Sequence, residues 1–372
     1  MTDTTTQSGP IGVGIIGAGN ISEQYLNNLT RFPDLRVMAI ADMFPEAARA
    51  RAEQFGIEAR DNVSELLVDD QIELVINLTI PAAHAEVSTA ILKSGKHVWG
   101  EKPLALGRED GDALVALAEQ TGLRLGCAPD TFLGSGIQHA LRLIDAGAIG
   151  KPLSAQTVFQ TAGPHLWHPN PAFLFQRGAG PLFDMGPYYL TALVQAFGAI
   201  DTVSAMGGRA FEKQVVASGP RAGEEFEVEV PTLVAALIGF EEGQVGQSTF
   251  SFQSPMMRSG YVEISGTEAT LLIPDPNNFE GTLELYRLGS EEPELIESVG
   301  ASAGRGMGAL DIARSVRAGV PHRASGELGN HVLDAMIAIG ESVASGQPER
   351  VGSTVSRAER LPESWDPFAS TV

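Results

Sequence analysis

One stretch near the start of the chain decides the fold: Ile11-Gly-Val-Gly-Ile-Ile-Gly17-Ala-Gly19-Asn-Ile-Ser22. Its apolar first half, Ile11 to Ile16, is typical of a buried strand, and the residues after Gly19 have helical character. Gly17 allows the tight turn between strand and helix. Gly19 lets the backbone approach a pyrophosphate, whose charge is stabilised by N–H groups at the helix N-terminus. Ser22 stands where a third glycine is usual, and it is small enough for close packing, so the stretch is interpreted as a dinucleotide-binding turn.

A second apolar run, Arg36 to Ala41, ends at Asp42, about 20 residues beyond the turn, where an acid hydrogen-bonds the 2′-OH of an adenosine ribose. Met43 and Phe44 follow, rather than an arginine that would accept a 2′-phosphate. NAD is therefore favoured over NADP. The alternative is an ordinary strand, turn and helix with a surface aspartate. The candidate cofactor-binding residues in this part of the chain are Gly17, Gly19, Asn20, Ile21 and Asp42.

Length and composition indicate a globular protein of two domains. The chain has 372 residues, whereas single hydrophobic cores stop growing near roughly 250 to 300 residues. Apolar residues make up 43% of the sequence and charged residues 19%, which is typical of neither a disordered nor a fibrous chain. The formal net charge of −21 argues against nucleic acid and anionic membranes as partners, because both would be repelled.

Targeting features favour a cytoplasmic protein. The stretch Met1 to Pro10 is polar and has no basic region followed by an apolar one, so no export signal is expected. No apolar run reaches the length of about 18 residues that a membrane span needs. The single cysteine, Cys127, fits a reducing compartment and is expected to be a small buried core residue.

Strands and helices alternate along the first third of the chain, which indicates a parallel sheet covered on both faces. The predicted strands are Ile11–Ile16, Arg36–Ala41, Glu73–Leu78, His97–Gly100 and Leu123–Cys127. The predicted helices are Glu46–Phe55, Ala83–Lys93 and Asp110–Gln120.

From Leu153 onward the pattern changes to β-rich stretches separated by short turns, which predicts an antiparallel sheet. Its predicted strands are Leu153–Gln160, Thr202–Met206, Glu225–Phe240, Gln244–Phe252, Tyr261–Ser265 and Thr282–Arg287. Helices over Pro187–Phe197, Gly308–Ala318 and Gly329–Ser345 are expected to cover one face. The other face is expected to be open, and a broad sheet face is a natural surface for oligomers.

The second landmark is the stretch Gly95-Lys-His-Val-Trp-Gly-Glu101-Lys102-Pro103. A helix ends at Gly95, a short strand follows, and Glu101 and Lys102 come at the carboxyl end of that strand, where open α/β sheets place ligands. A partly desolvated lysine near a positively charged nicotinamide ring has a lowered pKa, and it is able to polarise or deprotonate a substrate hydroxyl. The alternative is a solvated Lys102 paired with Glu101.

Taken together, these residues resemble the glucose–fructose oxidoreductase, inositol dehydrogenase and MocA family. The motifs that carry the resemblance span nearly the whole chain: Gly17-Ala-Gly-Asn-Ile21, Asp42, Thr79-Ile80-Pro-Ala-Ala-His84, Gly95 to Pro103, and Gly178-Ala-Gly-Pro-Leu-Phe-Asp184-Met-Gly-Pro-Tyr188. The resemblance implies an N-terminal Rossmann dinucleotide-binding domain, placed at residues 1–127. It also implies a C-terminal α/β domain with a large, mostly antiparallel open sheet, placed at residues 128–372, for substrate binding and oligomerisation.

The same resemblance implies NAD(P)-dependent hydride transfer on sugars or polyols, and a homodimer or homotetramer. It places Lys102 near both the nicotinamide ribose and the substrate. The further cofactor-binding residues that it implies are Thr79, Ile80, His84, Glu101 and Lys102.

Two positions depart from the family pattern. Ile80 and Pro81 stand in the second and third places of the Thr79 motif, so contacts with the cofactor there are expected from the backbone. Tyr188 stands where many relatives have histidine. Because tyrosine has an unperturbed pKa of about 10, it needs a neighbouring cation such as Lys102 to act as a base.

Asp184 and Tyr188 are four residues apart, so they share one face of the helix that Pro187 is expected to open. We expect Tyr188 to take part in proton transfer with Lys102, and Asp184 to orient the substrate hydroxyl. The alternative for Asp184 is a purely structural N-cap of that helix.

A proline-stiffened loop, His165-Leu-Trp167-His168-Pro-Asn170-Pro, supplies candidates for substrate binding. Trp167 would stack on the C–H faces of a sugar, and His165, His168 and Asn170 would line the pocket or hydrogen-bond hydroxyls. The alternatives are a purely structural loop and a metal site at the two histidines. No metal is predicted, because a third well-placed ligand is lacking.

The sequence therefore predicts an NAD-dependent oxidoreductase acting on a secondary hydroxyl or ketone of a sugar, sugar derivative or polyol. The predicted catalytic residues are Lys102, Asp184 and Tyr188. The alternative function is a non-catalytic regulator that senses NAD or a sugar on the same scaffold.

Overall fold

The computed structural model describes residues 8–372, which divide into two compact units. The first unit contains the chain up to Gly134, together with Gly300–Asn330 and Leu361–Val372. The second contains Ser135–Val299 and His331–Arg360. These units differ from the predicted boundary at residues 127 and 128, because two later segments return to the first unit. Residues 1–7, part of the stretch interpreted as free of an export signal, lie outside the described residues.

The first unit contains a six-stranded parallel sheet in the order β3-β2-β1-β4-β5-β6. The strands are β1 Ile11–Ile16, β2 Leu35–Ala41, β3 Glu58–Ala59, β4 Leu74–Asn77, β5 His97–Gly100 and β6 Leu125–Cys127. The helices of this part are α1 Asn20–Leu29, α2 Pro45–Phe55, α3 Val63–Leu67, α4 His84–Lys93 and α5 Arg108–Thr121. Strands β2 and β3 lie on one side of β1, and strands β4, β5 and β6 lie on its other side. The strand order therefore reverses between β1 and β4, and the carboxyl ends of these strands form the switch point at which such sheets bind ligands.

The second unit contains a nine-stranded sheet in the order β16-β15-β14-β13-β7-β12-β11-β8-β17, in which only the pair β7 and β12 is parallel. Its strands are β7 Pro152–Gln160, β8 Ile200–Gly208, β11 Leu233–Phe240, β12 Val245–Ser251, β13 Arg258–Gly266, β14 Ala269–Ile273, β15 Leu283–Arg287, β16 Glu294–Ile296 and β17 Glu349–Arg350. A separate hairpin joins β9 Lys213–Val215 to β10 Glu225–Glu227. The remaining helices are α6 Ser135–Asp145, α7 Gly180–Phe197, α8 Met307–Ala318 and α9 Gly326–Ser345. Helix α8 belongs to the first unit, where it packs against β4, β5 and β6, so the prediction that a helix over Gly308–Ala318 covers the antiparallel sheet is wrong.

Residues along β11 alternate between exposed and buried, as expected for a sheet with one covered face. Helix α7 packs against β7, β11 and β12 on the covered side. On β11 and β12, Leu237 and Val245 remain more than half exposed. The expected mostly antiparallel sheet with an open face is therefore confirmed.

The single strand predicted over Glu225–Phe240 is wrong. Instead, β10 ends at Glu227 and β11 begins at Leu233, in different sheets. Pro231 lies between them, and proline cannot donate a hydrogen bond to a strand ladder. The amphipathic pattern continues across this break, which made the two strands look like one.

The prediction that Pro187 opens a helix is also wrong. Helix α7 begins at Gly180 with Pro181 in its first turn, and Pro187 lies inside the helix. Its N-cap residue is Ala179, so Asp184 lies within the helix and does not cap it. A proline is common at a helix start, and two prolines in one apolar stretch left the choice between them open.

Among the helices of the described residues 8–372, none is long and apolar enough to cross a membrane.

Cys127 is a buried free thiol on β6, as expected, and burial raises the pKa of this thiol.

Candidate functional site

The glycine turn at the end of β1 forms an open cradle. Gly17 has a φ of +107°, and a Cβ at this position would lie 2.5 Å from the carbonyl oxygen of Leu78. Only glycine avoids both the strained backbone and the clash. Gly19 precedes α1 as its N-cap, where no side chain caps the helix and nothing lies within 4 Å of an added Cβ. Helix α1 then begins with Asn20 and Ile21. An anion at this position would accept hydrogen bonds from the N–H groups of the first turn.

Asp42, directly after β2, is fixed by the backbone on both carboxylate oxygens. Its Oδ2 accepts from the amide of Ala18 at 2.7 Å, and its Oδ1 accepts from the amide of Phe44 at 2.8 Å. Since each carboxylate oxygen has more than one acceptor site, both oxygens retain capacity for a further donor. The carboxylate therefore holds the glycine turn against the end of β2 and is still able to accept from a ribose hydroxyl.

The turn after β4 is organised by Asn77, a buried residue at the end of the strand. Its Oδ1 accepts from the Thr79 hydroxyl at 2.6 Å and from the Thr79 amide at 3.2 Å, and its Nδ2 donates to the carbonyl of His84 at 3.1 Å and to Ser88 Oγ at 3.0 Å. Ile80 is 69% exposed beside this turn. Sequence analysis missed Asn77, although a lone amide at the carboxyl end of an apolar strand was a signal.

His84, predicted to bind the cofactor, is buried at 2% exposure. Its Nε2 lies 3.0 Å from the carbonyl oxygen of Thr79, and its Nδ1 lies 2.7 Å from the carbonyl oxygen of Pro103. The ring thus connects the turn after β4 to the Glu101-Lys102-Pro103 segment after β5. Its side chain acts on the backbone of two loops rather than on an open surface.

Glu101 and Lys102 follow β5 directly, at the same sheet edge as the glycine turn. The amide of Glu101 donates to the carbonyl of Asn77 at 3.0 Å. The Glu101 carboxylate accepts from the Tyr25 hydroxyl through Oε1 at 2.8 Å and from the Lys102 amide through Oε2 at 3.0 Å. Tyr25 lies on α1 and gave no signal in the sequence, because it is one apolar-face residue of an amphipathic helix.

In the second unit, Asp184 and Tyr188 both lie on α7, where their spacing of four residues places them on one face. Asp184 is half-buried, and Tyr188 is 7% exposed. The next residue, Tyr189, accepts from the Gly260 amide on β13 through its hydroxyl at 2.7 Å. This contact attaches the helix to the sheet.

The loop predicted to bind substrate is stiffened by its own rings. Trp167 is 67% exposed, and its ring forms a T-shaped pair with the ring of His168, with 5.6 Å between the centroids. The Nδ1 of His168 accepts from the Asn170 amide at 3.0 Å, and Asn170 Oδ1 accepts from Arg221. The half-buried His165 packs against Phe175, and burial lowers its pKa, which favours the neutral ring.

No group of three or more histidine, cysteine, aspartate or glutamate side chains is arranged to hold a metal ion within the part of the chain that the structure describes.

Two family models match the chain. Residues 11–128 match the model described as the oxidoreductase family with an NAD-binding Rossmann fold, and residues 137–272 match the C-terminal domain of the GFO/IDH/MocA family. The chain belongs to this family. Its first sheet, with the glycine turn after β1, is the NAD-binding Rossmann fold of the family.

Curated relatives include inositol 2-dehydrogenase of Salmonella typhimurium, which is 32% identical over 146 residues, covering 38% of this chain and 43% of that protein. The chain thus matches less than half the length of this relative. The 1,5-anhydro-D-fructose reductase of Ensifer adhaerens is 27% identical over 268 residues, covering 70% of this chain and 74% of that protein.

Among solved structures, an NAD-binding oxidoreductase from Klebsiella pneumoniae has a TM-score of 0.82 at 22% identity, covering 92% of this chain and 99% of that one. Levoglucosan dehydrogenase in complex with NADH and L-sorbose has a TM-score of 0.81 at 21% identity, with the same coverage of both chains. These likenesses establish the fold.

Proposed function

We propose that the protein catalyses NAD-dependent hydride transfer between nicotinamide and a secondary hydroxyl or ketone of a sugar, sugar derivative or polyol. The observation that carries the proposal is the position of Lys102. It follows β5 at the carboxyl edge of the same parallel sheet that presents the glycine turn and Asp42. Relatives named as acting on inositol and anhydrofructose support a carbohydrate or polyol substrate.

The residues of the first unit fit a dinucleotide. The cradle at Gly17 and Gly19 has no room for a side chain at its first glycine and open space at its second. The N-terminus of α1 would hold the pyrophosphate, together with Asn20 and Ile21. Asp42 would accept from the adenosine ribose and disfavour a 2′-phosphate, so we propose NAD over NADP. Thr79 and Ile80 would contribute through the backbone of their turn, and Glu101 and Lys102 would act at the nicotinamide ribose.

When bound, the nicotinamide supplies the hydride acceptor or donor, while the protein supplies orientation and charge. We propose that the Lys102 ammonium polarises the substrate oxygen and takes part in moving the hydroxyl proton. A positioned side chain contributes about 10² to 10⁴ in rate through such proton transfer. The backbone of Lys102 is held in place by Glu101, and the loop behind it is held by His84 at the Pro103 carbonyl.

The second unit offers the remaining candidates. We propose that Tyr188 takes part in proton transfer and that Asp184 orients the substrate hydroxyl. The loop residues would recognise the carbohydrate through the exposed face of Trp167 and the polar groups of His165, His168 and Asn170. Stacking of a tryptophan on C–H faces and hydrogen bonds from a few polar groups are the usual means of such recognition.

We also propose a cytoplasmic homodimer or homotetramer. The single buried cysteine is compatible with a reducing compartment. Large apolar side chains on the open sheet face, Met206 on β8, Leu237 on β11 and Val245 on β12, are more than half exposed. Exposed apolar surface of this kind marks interaction sites in proteins.

The proposed function is tested by incubating the full chain with NAD and a panel of sugars and polyols while following the absorbance of the reduced cofactor. We expect turnover with at least one member of the panel. Lys102→Ala should lower that turnover by roughly 10² to 10⁴ with folding intact. If the variant retains most of its turnover, the Glu-Lys-Pro segment is architectural and Lys102 has no part in the chemistry.

A further inference from the structure

Two buried side chains and the half-buried Glu101 form a series of hydrogen bonds behind the Glu101-Lys102 segment. The indole Nε1 of Trp99, on β5, donates to the Tyr25 hydroxyl oxygen at 3.1 Å. The Tyr25 hydroxyl, on α1, donates to Glu101 Oε1 at 2.8 Å. The second oxygen of Glu101 accepts from the Lys102 amide at 3.0 Å. Trp99 and Tyr25 are fully buried.

The chemistry of the donors fixes the direction of this series. An indole N–H only donates, so the Tyr25 oxygen must accept from Trp99. A phenol has one proton, and it is therefore directed to Glu101. Burial raises the pKa of Tyr25 well above its usual value, and the charges of Glu101 and Asp130 add to this effect. Tyr25 is therefore protonated at neutral pH, where it acts as a hydrogen-bond donor.

Trp99, the first donor in this series of hydrogen bonds, is itself held in place by tight packing. An added Cβ at Gly308, in the first turn of α8, would overlap the Trp99 ring, so the helix lies directly on the indole. The first turn of α8 is held by the buried Asp130, whose Oδ2 accepts from the amides of Gly306 at 2.8 Å and Gly308 at 3.2 Å. Trp99 therefore has little freedom to release Tyr25.

We propose that Tyr25 is a positioning residue of the cofactor site: oriented by Trp99, its hydroxyl fixes Glu101, which in turn fixes the backbone of Lys102. The inference rests on the proposed part of Glu101 and Lys102 in holding the dinucleotide. It assigns a role to a residue that is 76 positions away from Glu101 in sequence and belongs to none of the motifs.

The test is a double-mutant cycle with Tyr25→Phe, Glu101→Ala and the combination of the two, read as NADH affinity by fluorescence titration and as kcat and KM. Tyr25→Phe keeps the packed ring and removes only the hydroxyl. Tyr286→Phe is the matched control, since it also removes a tyrosine donor to a glutamate, at Glu284 in the second unit. Trp99→Phe is a second probe that removes the donor to Tyr25 but keeps the hydroxyl.

We expect Tyr25→Phe to weaken NADH binding by about threefold to tenfold and to lower kcat at least as much, the range of coupling usual for residues in one network. In the Glu101→Ala background, Tyr25→Phe should change neither quantity by more than about twofold. Trp99→Phe should weaken NADH binding in the same direction, and Tyr286→Phe should leave it unchanged.

Wild-type NADH affinity in Tyr25→Phe would overturn the proposal. The proposal would also be overturned if the losses of affinity in the two single variants multiplied in the double variant. Multiplied losses would mean that Tyr25 acts independently of Glu101, as expected for a residue that acts only through general stability. If Tyr25→Phe does not fold, the same two criteria apply to Trp99→Phe. Absence of turnover in the wild-type protein would remove the proposed function but leave the NADH titrations to decide the role of Tyr25.

Discussion

At the scale of single residues, Asp42 combines two tasks, because it ties the glycine turn to the end of β2 and has acceptor capacity left for a ribose. We predict that the native protein binds NAD more tightly than NADP, since the carboxylate repels a 2′-phosphate. Asp42→Ala should weaken NAD binding and reduce the preference for NAD over NADP. Calorimetric titration with both dinucleotides measures this, and equal or tighter binding of NADP by the native protein would refute it.

The prediction for Tyr188 has the least support from the family pattern, because this residue stands where many relatives have histidine. If its hydroxyl takes part in proton transfer, Tyr188→Phe should lower turnover at least tenfold with little change in cofactor affinity. The rise of the rate at alkaline pH should shift or vanish. Steady-state kinetics across the pH range provide the measurement, and native turnover with an unchanged profile would make Tyr188 a packing residue.

The candidate site could be predicted from sequence only where local spacing carries the signal. The glycine turn, Asp42 and Lys102 follow strands whose ends are visible as the ends of apolar runs. Tyr25 could not be found in this way, because its partner lies on another element and nothing near Tyr25 in sequence indicates it. His84 was recognised as part of a motif, but its burial between two loops was not readable from the motif.

At the scale of elements, the contact of α8 with the indole of Trp99 gives a sharp prediction. Gly308→Ala should destabilise the protein by about 1 to 3 kcal/mol or more, because a buried ring cannot make room for the added methyl group. Gly340→Ala is the matched control, since this exposed helical glycine of α9 has nothing within 4 Å of an added Cβ. That change should stabilise the protein by roughly 0.5 to 1 kcal/mol. Urea denaturation compares the two, and equal effects would contradict the packing argument.

Elements of the first sheet were predictable because strands buried on both faces are near-continuous apolar runs. Strands β1, β2, β4, β5 and β6 were all predicted, with ends that differ by at most two residues. In the second unit, β14 was missed although turn residues flank it, and β16 has only three residues, which are too few to show an alternating pattern. The start of α7 was misjudged because helix entry depends on backbone geometry at Gly178 and Gly180, both with positive φ, and not on the proline alone.

At the scale of the whole molecule, the last segment of the chain returns to the first unit. The buried Asp34 accepts from the Thr371 amide and hydroxyl, each at 2.9 Å, and from Arg314 Nε at 2.8 Å. The ring of Phe368 lies 5.9 Å from that of Phe32. This return could not be predicted, because Thr371 is a single polar residue that lies 337 positions from Asp34 in sequence.

Asp34 should make stability depend on acid pH. Burial alone would raise its pKa, but the hydrogen bonds from Thr371 and Arg314 outweigh burial and lower it. A lowered carboxyl pKa gives stability that is fully present above the unfolded value of about 3.9 and is lost as pH falls below it.

We therefore predict that Asp34→Asn lowers the free energy of unfolding by about 1 to 3 kcal/mol at pH 7 and that its difference from the wild type shrinks toward pH 3. The exposed pair of Glu46 with Arg49 is the control, because Glu46→Gln should cost at most about 1 kcal/mol. Urea denaturation at both pH values is the measurement. A difference that stays constant with pH would show that Asp34 is not held as the carboxylate.

The central claim, hydride transfer from a secondary carbinol, is tested most directly by following the hydrogen itself. The protein is incubated with excess NAD and a mixture of sugars and polyols deuterated at their carbinol carbons, and the recovered dinucleotide is analysed by mass spectrometry. The account predicts reduced nicotinamide that has gained one deuterium, and a loss of this product in Lys102→Ala. Recovery of NAD with no deuterium and no reduction, under conditions in which the protein binds NAD, would contradict the account and favour a binding protein without chemistry.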